Sequence, residues 1–108
     1  MAITVLIVDD EDNARLNIGE YLTARGYETI GVANLADARA AVQRGDGDVI
    51  LLDVQLPDGY GPNLLHETAR MPVRPPIILI TAYGDIEMAV DAMKNGAHDF
   101  LTKPVQFS

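Results

Sequence analysis

The chain has no cysteine and no tryptophan, only 6% aromatic residues, and half as many basic residues as acidic ones. Without cysteine there is no disulfide, no thiolate nucleophile and no Cys-ligated zinc or cluster, a composition that suits a reducing cytosol. Eight Lys and Arg against sixteen Asp and Glu give a formal charge of -8, and a surface of that sign repels the phosphates on which nucleic-acid affinity depends. Direct DNA or RNA binding by this chain is not expected. Long hydrophobic runs are also lacking. The run Ile3 to Val8 has no basic residue before it and two acids directly after it, so it lacks the parts of a secretory signal. No window approaches the roughly eighteen apolar residues of a membrane span. The expectation is a cytoplasmic protein without a membrane partner, whose metal chemistry, if any, is carboxylate chemistry.

What is present is enough for one folded domain: 108 residues, 48% apolar and 22% charged, with no repeat and no linker. Short apolar runs alternate with helical patterns. Ile3 to Val8, Asp48 to Leu52 and Ile77 to Ile80 are rich in β-branched residues, as expected of strands buried on both faces of a parallel sheet. Glu28 to Ala33 and Asp99 to Leu101 read as weaker strands nearer the edges. Ala14, Ile18, Tyr21, Leu22 and Arg25 fall at helical spacing before Gly26. Ile86, Ala89, Val90 and Met93 repeat as an inward stripe, with Glu87, Asp91 and Lys94 outward and Gly96 as the stop. Asn34 before Leu35-Ala38-Val42 supplies a capping residue, and Pro62 before Leu64-Leu65-Ala69 a first-turn proline, for two further helices. The order β-α-β-α-β-α-β-α-β with right-handed crossovers predicts an α/β, doubly wound five-stranded parallel sheet.

In such sheets function gathers at the carboxyl ends of the strands. The polar residues that interrupt the apolar runs fall there: Asp9 and Asp10 after the first strand, Asp53 after the third, Thr81 after the fourth, Lys103 after the fifth. Crowded carboxylates raise a pKa or take up a cation, and oxygen ligands without His or Cys favour Mg²⁺. A carboxylate left partly free beside the metal could attack phosphorus, because aspartyl nucleophiles are an established route for phosphoryl groups. The transfer then needs chiefly positioning and charge neutralisation, which the metal, the Thr81 hydroxyl and the Lys103 ammonium could supply.

Four stretches, Val5 to Glu11 (VLIVDDE), Ile50 to Gly61 (ILLDVQLPDGYG), Ile78 to Asp85 (ILITAYGD) and Gly96 to Pro104 (GAHDFLTKP), occur in order and cover essentially the whole chain. At these residues the sequence resembles the receiver domain of two-component response regulators, most of all the receivers of bacterial transcription activators of the enhancer-binding or helix-turn-helix type. The resemblance implies a flavodoxin-like strand order, 2-1-3-4-5, and a phosphorylation-activated signalling switch. It implies that Asp53 accepts a phosphoryl group from a sensor histidine kinase, that Asp10 and Asp53 bind Mg²⁺ directly with Asp9 acting through water, and that the Gln55 backbone carbonyl is another ligand. Thr81 and Lys103 would bind phosphoryl oxygens, and Thr81 and Phe100 would carry the switch to the surface of the fourth helix and fifth strand. The Lys103-Pro104 bond would be cis. Such a domain is not an enzyme; it assists its own phosphorylation and dephosphorylation and controls an output domain absent from this chain.

Two other functions use the same residues. A pseudo-receiver would be an interaction module that takes no phosphate, and it would be expected to lack one of the five rim residues. A metal-dependent aspartyl-phosphate phosphatase of the haloacid dehalogenase type would carry a second Asp two residues after the nucleophile, where this chain has Gln55. Taken singly, each rim residue also has a bland role: Asp9 and Asp10 as acids complementing a helix dipole, Asp53 as a strand-end loop acid followed by a Pro57-Asp58-Gly59 turn, Thr81 as a strand former, Lys103 as a solvated charge; Phe100 likewise could be core. His66 and His98 lack a metal-ligand partner at useful spacing and read as surface or partly packed residues. Met88 reads as packing or, facing outward, as a partner contact. Only Val105-Gln106-Phe107-Ser108 follow Pro104, so residues 1–108 are expected to form a receiver truncated before a fifth helix. An open apolar strip beside the first helix would then favour self-association.

Overall fold

The computed structural model describes residues 2–82, 86–103 and 105. Its elements follow the apolar runs: β1 (Thr4–Val8), α1 (Asp12–Ala24), β2 (Glu28–Val32), α2 (Leu35–Arg44), β3 (Val49–Asp53), the short β4 (Gln55–Leu56) and β5 (Gly59–Tyr60), α3 (Asn63–Thr68), β6 (Ile77–Thr81), α4 (Ile86–Lys94) and β7 (Asp99–Thr102). The main sheet runs β2-β1-β3-β6-β7 with every neighbouring pair parallel. With β4 and β5 set aside, that is the 2-1-3-4-5 order, and a right-handed crossover can reach both faces from it.

Side chains alternate along each strand, and the two faces differ in content. Leu6, Val8, Ile50, Leu52, Ile77 and Leu79 meet Leu35, Ala38 and Val42 of α2, Leu64 and Leu65 of α3, and Ala92 of α4 in the larger core. On the opposite face Val5, Ile7 and Ile80 meet Ile18 of α1, with Leu22, Leu51 and Val105 partly covered around them. Among the described residues no helix is long and apolar enough to cross a membrane. The expected absence of a fifth helix concerns the stretch after Lys103, of which only Val105 is described.

Three details depart from expectation. A two-residue hairpin, β4 antiparallel to β5, occupies what reads as a simple Pro57-Asp58-Gly59 turn. Pro62 is the residue before α3 and not its first turn, although its φ of -58° and ψ of -16° are already helical. The inward stripe of α4 is displaced: Ala89 and Ala92 are buried, Met88 is half-buried against the core, and Ile86, Val90 and Met93 stay 37–46% exposed. Alanines let the α4 backbone lie close to the sheet, and that closeness turns the larger aliphatic residues outward. Asn34 caps α2 as expected, its Oδ1 accepting from Asp37 N–H at 2.8 Å.

Candidate phosphoacceptor and cation site

Three strands of the sheet run from apolar to polar within one residue at their carboxyl ends, and burial does not fall at that step. Asp9 and Thr81 are completely buried and Asp53 is 7% exposed; Asp10 is exposed. One carboxylate oxygen from each of Asp9, Asp10 and Asp53 lies within 4.8 Å of the other two. Lys103 closes the group. Its main-chain N–H donates to the Thr81 carbonyl at 2.7 Å, which carries its side chain from β7 back over the rim. Its Nζ then lies 3.0 Å from Asp53 Oδ2, 3.2 Å from Glu11 Oε1 and 3.3 Å from Asp9 Oδ2.

Local backbone chemistry sets each carboxylate. Asp9 Oδ1 accepts from Glu11 N–H at 3.0 Å, a turn that starts α1. Its Oδ2 is buried and, although near Nζ, has no hydrogen bond. Asp53 is the last residue of β3, in register with Ile80, and Val54 N–H continues that pairing to the Ile80 carbonyl at 3.3 Å. The chain then turns through the hairpin and comes back past Asp53, with Gly61 N–H donating to the Val54 carbonyl at 2.7 Å. A side chain at Gly61 would collide with the Asp53 carbonyl, so only glycine permits that return.

The electrostatics are unbalanced. Two unit charges 4.8 Å apart repel by about 3.5 kcal/mol at an effective dielectric of about 20, and the carboxylates of Asp9, Asp10, Asp53 and Glu11 face a single ammonium. Burial accordingly raises the pKa of Asp53, and Asp9 adds to the rise; the Lys103 hydrogen bond and charge, with the Val54 N–H, only partly oppose it. Burial works against the Lys103 ammonium too, but Asp53, Glu11 and Asp9 outweigh it and hold its pKa above the ordinary lysine value. Two buried polar side-chain atoms among the described residues have no hydrogen-bond partner, Asp9 Oδ2 and Thr81 Oγ1. Both belong to this rim. A cation would suit the first, an acceptor-only oxygen among carboxylates whose one nearby positive charge, the Lys103 ammonium at 3.3 Å, makes no hydrogen bond to it. The donor set is all oxygen, which fits Mg²⁺.

The sequence matches the family description "Response regulator receiver domain" over residues 5–108. The chain belongs to the response regulator receiver family. It is 40% identical over 100 residues to the response regulator protein PilR of Pseudomonas aeruginosa, covering 93% of this chain and 22% of PilR. It is 38% identical over 106 residues to the C4-dicarboxylate transport transcriptional regulatory protein DctR of Rhodobacter capsulatus, covering 96% of this chain and 54% of DctR. Among solved structures, the receiver domain of NtrX from Brucella abortus superposes with a TM-score of 0.86 at 33% identity, covering 94% of this chain and 87% of that one. The chain therefore spans between about a fifth and a half of the curated relatives described here. Receivers of this family bind Mg²⁺ in an acidic pocket, and this chain carries a cluster of Asp9, Asp10 and Asp53.

Of the expected site residues, the receiver fold brings Asp9, Asp10, Asp53, Thr81 and Lys103 to one rim. Gln55 is exposed and lies in β4 opposite Tyr60. Phe100 is half-buried against the larger core, while His66 and His98 are exposed. The Lys103-Pro104 bond, expected to be cis, involves a position outside the described residues. Two participants have no counterpart in the sequence reading. Glu11, the acid directly after Asp9 and Asp10, is a further carboxylate on Lys103. Asp58, in the hairpin turn, accepts from Leu35 N–H at 2.8 Å and Ala36 N–H at 2.9 Å, joining the loop after Asp53 to the start of α2.

Proposed function

We propose that this chain is a phosphorylation-activated switch in which Asp53 takes a phosphoryl group from a sensor histidine kinase. An Asp53 carboxylate oxygen attacks phosphorus in line, the phosphorus–nitrogen bond of the donor phosphohistidine breaks, and an acyl phosphate forms on Asp53. Asp10 and Asp53, with Asp9 through water and the Gln55 carbonyl, would hold the Mg²⁺, which supplies charge neutralisation for the incoming phosphoryl oxygens. Lys103 exchanges its Asp53 contact for a phosphoryl oxygen. Thr81 donates its hydroxyl to another, and Thr81 and Phe100 pass the change to the surface of α4 and β7. That surface controls an output domain outside this chain, which the names of relatives such as DctR suggest is transcriptional. The protein releases no separate product; it assists its own phosphorylation and dephosphorylation. On this reading residues 1–108 are one receiver domain, and its setting is the cytoplasm.

The observation that carries this reading is the pair of orphaned buried atoms, Asp9 Oδ2 and Thr81 Oγ1. They stand on either side of Asp53 in the sheet order, one an acceptor suited to a cation and one a donor suited to an anion. The test is mass spectrometry after mixing with a small phosphodonor and Mg²⁺. Gain of one phosphoryl group, mapped to Asp53 and lost in Asp53→Asn, is expected. An unmodified Asp53 under these conditions would point to the interaction module that takes no phosphate. Thr81→Ala is expected to keep the phosphorylation but weaken the accompanying chemical-shift changes around Phe100.

A further inference from the structure

Arg15 stands outside the acidic rim, in the second turn of α1, and its side chain is 21% exposed. Its stem lies across Gly31 of β2, where a Cβ would come within 3.0 Å of Arg15 Cδ and 3.2 Å of Cγ. From there the guanidinium reaches back: Nη1 donates to the Asp9 main-chain carbonyl at 2.7 Å and Nη2 to Asp12 Oδ1 at 2.6 Å. Asp9 N–H donates to the Val32 carbonyl at 3.1 Å. The Asp9 residue is thereby gripped at its N–H by the end of β2 and at its carbonyl by Arg15. Its Oδ1 is committed to Glu11 N–H, which leaves Oδ2 as the atom facing the site.

We propose that Arg15 is a positioning residue for the cation site: its guanidinium fixes the peptide joining Asp9 to Asp10, and hence the aim of both carboxylates, and Gly31 keeps open the channel its stem requires. The inference rests on the reading of Asp9, Asp10 and Asp53 as Mg²⁺ ligands. Position and charge pull in opposite directions here. A guanidinium near an anionic site opposes a divalent cation, so by charge alone its removal tightens Mg²⁺ binding. By positioning, its removal frees the peptide and weakens binding, as loss of groups that orient metal ligands does by about tenfold or more. The sign of the change separates the two.

Calorimetric titration of the chain with MgCl₂ alone, without phosphodonor, reads this directly. Arg15→Ala is expected to weaken Mg²⁺ binding by about tenfold. Gly31→Ala, which pushes the stem aside without touching a carboxylate, is expected to weaken it in the Arg15 chain but to add nothing in Arg15→Ala, a non-additive cycle. Urea unfolding in chelator identifies variants folded throughout the titration; if Arg15→Ala is not, Arg15→Lys takes its place, keeping the charge but losing the two-pronged grip, and weaker binding is again expected. Unchanged or tighter binding in the folded Arg15 variant, or additive effects of the two substitutions, would overturn the role of Arg15 alone. An unmutated chain that binds no Mg²⁺, or binds it equally well as Asp10→Ala, would overturn the cation site and this inference with it.

Discussion

The last apolar residue of three strands and the polar residue that follows it are equally hidden from water, yet they are in opposite physical situations. Val8, Leu52 and Ile80 are completely buried, as are Asp9 and Thr81, and Asp53 very nearly so. The apolar members lose water and gain packing, about 25 cal/mol per Å² of surface removed. The polar members lose water and recover only part of what they give up, since one Asp9 oxygen and the Thr81 hydroxyl have no hydrogen-bond partner and the carboxylates repel. Burial is therefore no measure of stability at this boundary. A single residue step separates the part of the sheet that holds the fold together from a rim of incompletely satisfied polar groups, and polar sites of this kind are where function is expected to draw on stability.

The sharpest way to break that contrast is to cut one residue on the stable side. Leu52→Ala should cost about 3–4 kcal/mol in urea melts, within the range for a fully buried leucine whose cavity cannot collapse. A loss under about 1 kcal/mol would show that the sheet body near the rim is loosely packed and the boundary less abrupt. Next in size is the ligand itself. Mg²⁺ at a hundredfold excess over its Kd should stabilise the native chain by about 2.7 kcal/mol, and Asp10→Ala should abolish that gain. A melting temperature indifferent to millimolar Mg²⁺ would mean that the repulsion is relieved in some other way.

Asp53→Asn in chelator should make the chain more stable, on the order of 1 kcal/mol, the usual scale of one substitution. The pH dependence gives the same contrast with a definite sign. Because the folded pKa of Asp53 is raised, mainly by burial, the native state holds that proton more tightly than the unfolded chain does. Its contribution therefore makes metal-free stability fall as pH rises from the unfolded value near 3.8 through the raised folded value, and the penalty is constant above it. Asp53→Asn removes that segment of the profile. Smallest is Thr81→Val, which keeps the shape and removes the orphaned hydroxyl; it should be neutral or stabilising by under about 1 kcal/mol. A clear destabilisation would reveal a partner for Thr81 Oγ1.

Much of this boundary is legible in the sequence because strand ends are where an apolar run stops, and at Asp9, Asp53 and Thr81 it stops on a polar side chain in each case. The alternation of strands and helices is readable because the apolar runs are short and separated from one another by a helical period, while the 2-1-3-4-5 strand order comes with the resemblance to receivers. The inward face of α4 is not, because hydrophobicity ranks Ile86, Val90 and Met93 above Ala89 and Ala92, whereas the observed packing buries the alanines. The β4 and β5 hairpin is too short to leave an alternating pattern. Glu11 reads as one more acid at a helix start until the path of β7 brings Lys103 to it. Arg15 shows helical spacing and nothing else; its role depends on Gly31, sixteen positions along the chain.

The Asp58 carboxylate that receives the first two amides of α2 is 22 and 23 residues away from them in sequence. Those hydrogen bonds also hold the Asp58 pKa below its usual value. A helix start of this kind cannot be completed by local events, because its acceptor arrives only after β3 has paired and the hairpin has turned. Loop closure of that length precedes the reward it makes available. The amide protons of Leu35 and Ala36 should thus become protected from solvent exchange together with β3 and not with the later turns of α2, so that α2 is assembled in time from its carboxyl end toward its amino end.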